Sequence, residues 1–154
     1  MIKALKYALA SSILLISTTQ TYAKDECSID FTTNQSLIRT IKEKGFVFEN
    51  YDKVCKLLRS ANASVDIVSM SQISPYQTTA AVNVRLKAKE YEAQGINVYS
   101  EHQSWIRYEQ ERTTLIQENA AYIVTMAALN AISQNSVDEL NKQRAALKNY
   151  KAKK

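Results

Sequence analysis

The sequence predicts a mainly α-helical, single-domain bundle, built around one long central helix and held by one disulfide. The first observation is a shortage of turn residues: the 154 residues include two glycines and one proline, whereas sheets of short strands need such residues about every 8–12 positions. The second is that residues 100–133 contain neither glycine nor proline and repeat apolar residues at helical spacing. The third is a single pair of cysteines behind an export signal.

The N-terminus has the pattern of a secretory signal peptide. Two lysines precede an apolar run over residues 8–16, and a small-x-small sequence closes at Ala23. The run is shorter than the roughly 20 residues that a membrane-spanning helix needs. We therefore expect cleavage after residues 1–23 and a periplasmic or secreted protein that does not span a membrane. Residues 24–154 would form one α-rich domain with a basic C-terminal tail.

Cys27 and Cys55 are the only cysteines of the chain, and export places both in an oxidising compartment. A metal site or a reactive thiol pair would need a second cluster of ligands or closer spacing, which the sequence lacks. We expect a Cys27–Cys55 disulfide, which should stabilise the fold by about 3–4 kcal/mol.

Two short helices are predicted before residue 60. Apolar residues between Leu37 and Ile41 form one face of the first helix, and Gly45 stands where a left-handed C-terminal cap belongs. Asn50 is placed to cap a second helix, whose buried side carries Cys55.

Residues 63–74 are compatible with two structures. Apolar and polar residues alternate in places, as in a half-buried strand, but Val68 and Met70 interrupt the alternation. The segment is therefore predicted as a strand or as a poor helix.

Residues 77–94 carry two competing signals. Val82, Val84 and Leu86 have the period of a strand, whereas the sequence AKEYEAQ consists of strong helix formers and ends at Gly95. We prefer a helix ended by Gly95, with short strands within residues 63–88 as the alternative.

Residues 100–133 are expected to form the long central helix. Ser100 with Gln103 has the form of a capping box at its start. From Ala120 to Ile132 the segment is apolar nearly all round, which is typical of a helix inside a core. The residues that share one helical face are Trp105, Tyr108, Leu115, Tyr122, Met126 and Leu129.

The C-terminal segment is predicted as a basic amphipathic helix. Ser136 with Glu139 forms a second capping box at its start. Residues 142–154 contain six basic residues and no acidic one, so they form a basic appendage to a mildly acidic body. Because an exported protein with an acidic body is a poor partner for nucleic acid, we expect none to bind.

Candidate catalytic residues are scarce. His102 is the only histidine, and the sequence contains no HExxH, GxSxG, Cys/His cluster or glycine-rich phosphate loop. We therefore expect a protein that is not an enzyme and that binds neither a metal nor a cofactor. An enzyme centred on His102 is the minority hypothesis.

Six residues are candidates for binding another protein. An exposed Trp or Tyr on the central helix would be a typical hot spot, basic residues of the same segment could pair with a partner's acidic groups, and the basic tail could do the same. The candidates are Trp105, Arg107, Tyr108, Arg112, Arg144 and Lys148.

Two segments resemble a known family. QSWIRY (residues 103–108) and LNKQRAAL (residues 140–147) are similar to two segments of the LprI-type lysozyme inhibitor family, although Glu109-Gln110 stand where that family has an Arg-Asp pair. The resemblance implies an exported, helical, disulfide-stapled inhibitor of a cell-wall hydrolase.

Export, small size, a disulfide and the lack of a catalytic motif favour a periplasmic protein-binding module. The leading hypothesis is an inhibitor or immunity-type protein against a cell-wall hydrolase or toxin. The alternative is a periplasmic chaperone or envelope-assembly factor that uses the basic C-terminal helix. The sequence does not indicate an oligomeric state.

Overall fold

The structure, a computed structural model, describes residues 27–152, so the predicted signal peptide lies outside the described residues. The four strands are β1 (Phe31–Thr32), β2 (Ala63–Ile73), β3 (Thr78–Ala88) and β4 (Gln103–Glu109). The helices are α1 (Gln35–Lys44), α2 (Tyr51–Ser60), α3 (Thr114–Asn130) and α4 (Gln134–Ala152), with a short 3₁₀ helix at Lys89–Gln94. The strands form one sheet in the order β1-β2-β3-β4, in which β1 is parallel to β2 and the other neighbours are antiparallel.

The prediction of a mainly α fold is wrong, because a mixed four-stranded sheet makes this an α/β fold. β2 and β3 form a long hairpin, paired from Ala63 opposite Ala88 to Ile73 opposite Thr78. Its turn depends on a serine side chain rather than on glycine: the Ser74 hydroxyl accepts the backbone N–H groups at positions 76 and 77. The shortage of glycine therefore did not exclude a sheet.

The predicted helix over residues 77–94 is also wrong. Residues 78–88 form a strand, as their apolar period of two indicates, because Val82, Val84 and Leu86 all point into the core from β3. The helix formers that follow make only the 3₁₀ helix. Gly95 ends it with a φ of 68°, the left-handed conformation that glycine adopts without strain.

The predicted helix over residues 100–133 is wrong in its first part, which is β4 and the loop after it. α3 begins at Thr114, where the side chain of Thr113 accepts the N–H of Ile116 at 3.2 Å. Ser100 caps no helix, since its hydroxyl accepts the N–H of Leu86 at 2.9 Å. Pairing with β3 supplies the backbone partners of β4, and that pairing cannot be read from local spacing.

The other helices lie close to their predicted positions, but three caps differ. α1 is capped by Asn34, and Gly45 beyond its end has a φ of 74° and a ψ of -173°, so it does not form the predicted left-handed cap. The side chain of Asn50 caps nothing. α4 begins two residues before the predicted capping box, and the Ser136 hydroxyl accepts the N–H of Ser133. No helix within residues 27–152 is long and apolar enough to cross a membrane.

The core lies between one face of the sheet and the helices. α3 packs across β2, β3 and β4, and its second half is buried, as predicted. α1 and α2 pack beside α3, and α4 contributes Val137 and Leu140. The strand residues at the centre of the core are Val65, Ile67, Val82, Val84 and Leu86.

The predicted Cys27–Cys55 disulfide is confirmed, with the two Cα atoms 5.9 Å apart. Cys55 lies on the buried side of α2, as expected. The hydroxyl of Tyr51 donates to the carbonyl of Cys27 at 2.8 Å. The disulfide and this hydrogen bond fasten the segment before β1 to α2.

Candidate functional site

One face of the sheet is covered by α3, and part of the other face is exposed. Because side chains alternate along a strand, the residues between the buried positions of β2 and β3, and their partners on β4, share this second face. We call it the open face. It consists of Val68, Met70, Gln72, Thr79, Ala81, Asn83, Ser104, Ile106 and Tyr108.

The middle of the open face is apolar and exposed. Met70, Ala81 and Ile106 are direct neighbours across three strands. Met70 is 64% exposed, Ile106 58% and Tyr108 61%. The small side chain of Ala81 leaves a shallow hollow of about 210 Å³ beside Met70 and Thr79. Large exposed apolar patches are a feature of surfaces that bind proteins, membranes or ligands.

A polar border closes one end of the open face. Arg85 on β3 forms an ion pair with Asp66 on β2 at 2.7 Å, and its guanidinium lies 3.6 Å from the centre of the Tyr99 ring. The hydroxyl of Thr32 donates to the same Asp66 carboxylate at 2.8 Å. The apolar surface is thus bounded by charged groups that already have partners, as in interfaces with an apolar centre and a polar rim.

The β2–β3 turn, residues 74–77, projects from the other end of the sheet, and we call it the hairpin tip. Tyr76 at its apex is 88% exposed. The Ser74 hydroxyl donates to the carbonyl of Gln77 at 2.8 Å, and Arg112 donates to the carbonyl of Pro75. These hydrogen bonds fix the backbone of the turn that carries Tyr76.

The structure divides the predicted partner-binding residues. Tyr108 lies on the open face, and Arg112 braces the hairpin tip. Trp105 and Arg107 point to the opposite face of β4, where Arg107 forms an ion pair with Glu109 at 2.6 Å. The predicted cluster is therefore split between two faces of one strand, because a strand alternates where a helix would have aligned Trp105 with Tyr108.

Arg144 and Lys148 are not brought to the open face, since both belong to α4. The guanidinium of Arg144 donates to the carboxylate of Glu90 at 2.9 Å and to the carbonyls of Ala61 and Asn62 at 2.9 and 3.2 Å. Arg144 thus joins α4 to the end of α2 and to the 3₁₀ helix.

The pairing of Glu90 with Arg144 predicts a pH-dependent stability. Burial raises the pKa of the Glu90 carboxyl, but the hydrogen bond and charge of Arg144, together with Lys148, outweigh burial and lower the pKa below its ordinary value. Because the folded pKa is the lower one, this contribution is complete above the unfolded pKa and is lost as the pH falls through the folded pKa. Glu90→Gln should lower the melting temperature at pH 7, with a smaller effect at about pH 3.

Thermal unfolding followed by circular dichroism at the two pH values measures this difference. Glu43→Gln, which changes an exposed carboxylate on α1, is the matched control and should have little effect at either pH. An equal loss for Glu90→Gln at both pH values would contradict the assigned role of Arg144.

Three central residues of the open face were not among the sequence candidates. In the sequence, Val68 and Met70 stand out only as an interruption of the alternation in residues 63–74, and the spacing around Ile106 predicts a helix. In the structure the interruption has a plain cause: β2 carries apolar side chains on both faces over this stretch. Apolar residues out of phase in a strand are the signal that could have identified them.

No group of three or more His, Cys, Asp or Glu side chains within residues 27–152 is placed to hold a metal ion. His102 is exposed in the segment before β4.

The chain matches no family model and no curated protein. The resemblance of residues 103–108 and 140–147 to the lysozyme inhibitors stays a prediction. In the structure the first segment lies in β4 and the second in α4.

Proposed function

We propose that this is an exported, periplasmic protein-binding module, and most concretely an inhibitor or immunity-type protein that occludes a cell-wall hydrolase or toxin. The observation that carries the proposal is the exposed apolar row of Met70, Ala81 and Ile106, flanked by Tyr108, on the open face. The predicted signal peptide and disulfide support an extracytoplasmic site of action.

The rigidity of this surface favours a folded partner. Its side chains belong to three paired strands that α3 supports from behind, so little backbone freedom remains to be lost on binding. A preorganised surface binds with a smaller entropic penalty than a mobile one. Tyr108 and Met70 present large side chains, and tyrosine is enriched among hot-spot residues.

The hairpin tip is the reason for proposing an enzyme as the partner. Tyr76 projects beyond the sheet on a turn whose backbone is held by Ser74 and Arg112. A stiff protruding turn fits the concave cleft of an enzyme, while the open face beside it supplies the surrounding contact area. We therefore expect the partner to have a cleft, which the hairpin tip enters.

A periplasmic chaperone is the second candidate, because an exposed apolar surface can also bind unfolded chains. Deleting residues 142–154 does not separate the two functions, since Arg144 and Leu147 belong to the packed domain. Suppression of the aggregation of an unfolded test protein separates them better. A chaperone suppresses aggregation at near-stoichiometric amounts, and the proposed inhibitor does not.

Affinity capture from periplasmic extract tests the proposal. The bait is the exported protein with its disulfide formed, and bound proteins are identified by mass spectrometry. We expect one stoichiometric hydrolase or toxin whose activity falls when the bait is added to the purified enzyme. A broad set of unfolded envelope proteins, or no protein above background, would contradict the inhibitor proposal.

A further inference from the structure

β4 is an edge strand, since no segment within residues 27–152 pairs with its outer side. It is seven residues long and contains no lysine and no proline, two residues that often protect such edges from pairing, and its two charged residues, Arg107 and Glu109, form an ion pair with each other. We propose that β4 pairs with β4 of a second copy of the protein, so that two four-stranded sheets become one eight-stranded sheet. This inference goes beyond the proposed function and does not depend on it.

The sequence of β4 is complementary to itself around Ile106. In an antiparallel two-fold pairing centred on this residue, all seven positions have a partner. An amide faces a carboxylate, two hydroxyl groups face each other, and an indole ring faces a guanidinium, which is a favourable cation–π pair. The opposed residues are Gln103 and Glu109, Ser104 and Tyr108, and Trp105 and Arg107.

Other symmetric pairings of β4 are poorer. A centre at Arg107 places two arginines directly opposite each other, and a centre at Trp105 leaves Tyr108 and Glu109 without partners in the other β4. Like charges directly opposite destabilise a strand pair. A register shift of one residue would place the open face of one copy beside the α3-covered face of the other. Charge complementarity and the number of paired residues therefore favour the pairing centred on Ile106.

The pairing also extends the apolar surface. Ile106 of one copy would lie beside Ile106 of the other, so the row of Met70, Ala81 and Ile106 would continue across the symmetry axis. The Arg107–Glu109 ion pair runs along β4 and can persist beneath the new strand pair. Because only seven residues pair, we expect a dissociation constant on the order of micromolar, typical of small interfaces.

Sedimentation velocity over a concentration series tests the proposal with the exported, oxidised protein. The wild type should pass from monomer to dimer as its concentration rises. Ile106→Lys should weaken the dimer at least about ten-fold, because two lysines would meet on the axis. Val68→Lys is the matched control: it lies on the same face but on β2, and should leave the dimer unchanged.

Crosslinking keeps the test valid if Ile106→Lys reduces folding, as judged by its melting temperature. A short bismaleimide should join two copies of Ile106→Cys through the new thiols, and should not join two copies of Val68→Cys. A wild type that is monomeric at about 1 mM, an unchanged dimer in folded Ile106→Lys, or equal crosslinking of both cysteine variants would overturn the proposal. If the β4 amides of a monomeric protein become protected from exchange only with a captured partner, the edge belongs to that partner and the proposed function is unaffected.

Discussion

Replacing Leu129 by alanine is expected to lower the free energy of unfolding by about 3–5 kcal/mol, one of the two largest effects on stability that we predict. Leu129 is fully buried in α3, with a relative exposure of 0%. Removing its side chain leaves a cavity between α3 and the sheet. Urea denaturation followed by circular dichroism measures the change.

Leu115→Ala in the same helix is the matched control. Leu115 is 67% exposed, so its replacement should change stability by no more than about 0.5 kcal/mol. The helical spacing of the sequence predicts both leucines on one helical face, and the structure buries Leu129 while it exposes Leu115 near the start of α3. Equal losses for the two variants would contradict the observed difference in burial.

Replacing Cys27 and Cys55 together by alanine should cost about 3–4 kcal/mol of unfolding free energy. The disulfide spans 28 positions in sequence, and the unfolded chain without it gains the freedom of that loop. Cys55 is also buried in α2, so its replacement adds a small packing loss. The midpoint of urea denaturation checks this result.

The reduced wild-type protein is the control for this variant. Reduction removes the crosslink and keeps both cysteine side chains, so its midpoint should lie close to that of the double variant and well below that of the oxidised protein. Identical midpoints for the oxidised and reduced proteins would show that the disulfide contributes no stability.

The features that depend on local sequence were largely predictable. α1 lies where its apolar spacing and Gly45 indicated, and the apolar second half of α3 is buried. The cysteine pair was also predictable, because two cysteines in a chain predicted to be exported leave few other arrangements. In each case the signal and its structural consequence lie within one segment, or in one pair of residues.

The sheet was not predictable from the same signals, because its strands are stabilised by distant partners. Trp105 and Tyr108 have a helical spacing, yet they pair with Val82 and Thr79 of β3, which lie 23 and 29 positions earlier. The strong helix formers after Ala88 could not override the pairing of β3 on both sides. The β2–β3 turn is stabilised by the Ser74 side chain and contains no glycine, so the residue that usually marks a hairpin in a sequence is missing there.

The candidate site was predictable only in part for the same reason. Tyr108 and Arg112 were identified as aromatic and basic residues that could bind a partner, and the structure places them on the open face and at the hairpin tip. Val68, Met70 and Ile106 become a surface only when three strands are aligned. Their alignment depends on the register of all three strands, so it cannot be read from any single segment of the sequence.

The most direct test of the open face as the binding surface is the affinity of the captured partner, measured by calorimetry, for Met70→Asp and Val47→Asp. Both side chains are apolar and exposed, but Val47 lies in the loop between α1 and α2, away from the open face. Met70→Asp should weaken binding about 100-fold, because a carboxylate would be buried without a partner at the centre of the contact. Val47→Asp should bind like the wild type, and a Met70→Asp variant that also binds like the wild type would contradict the proposed binding surface.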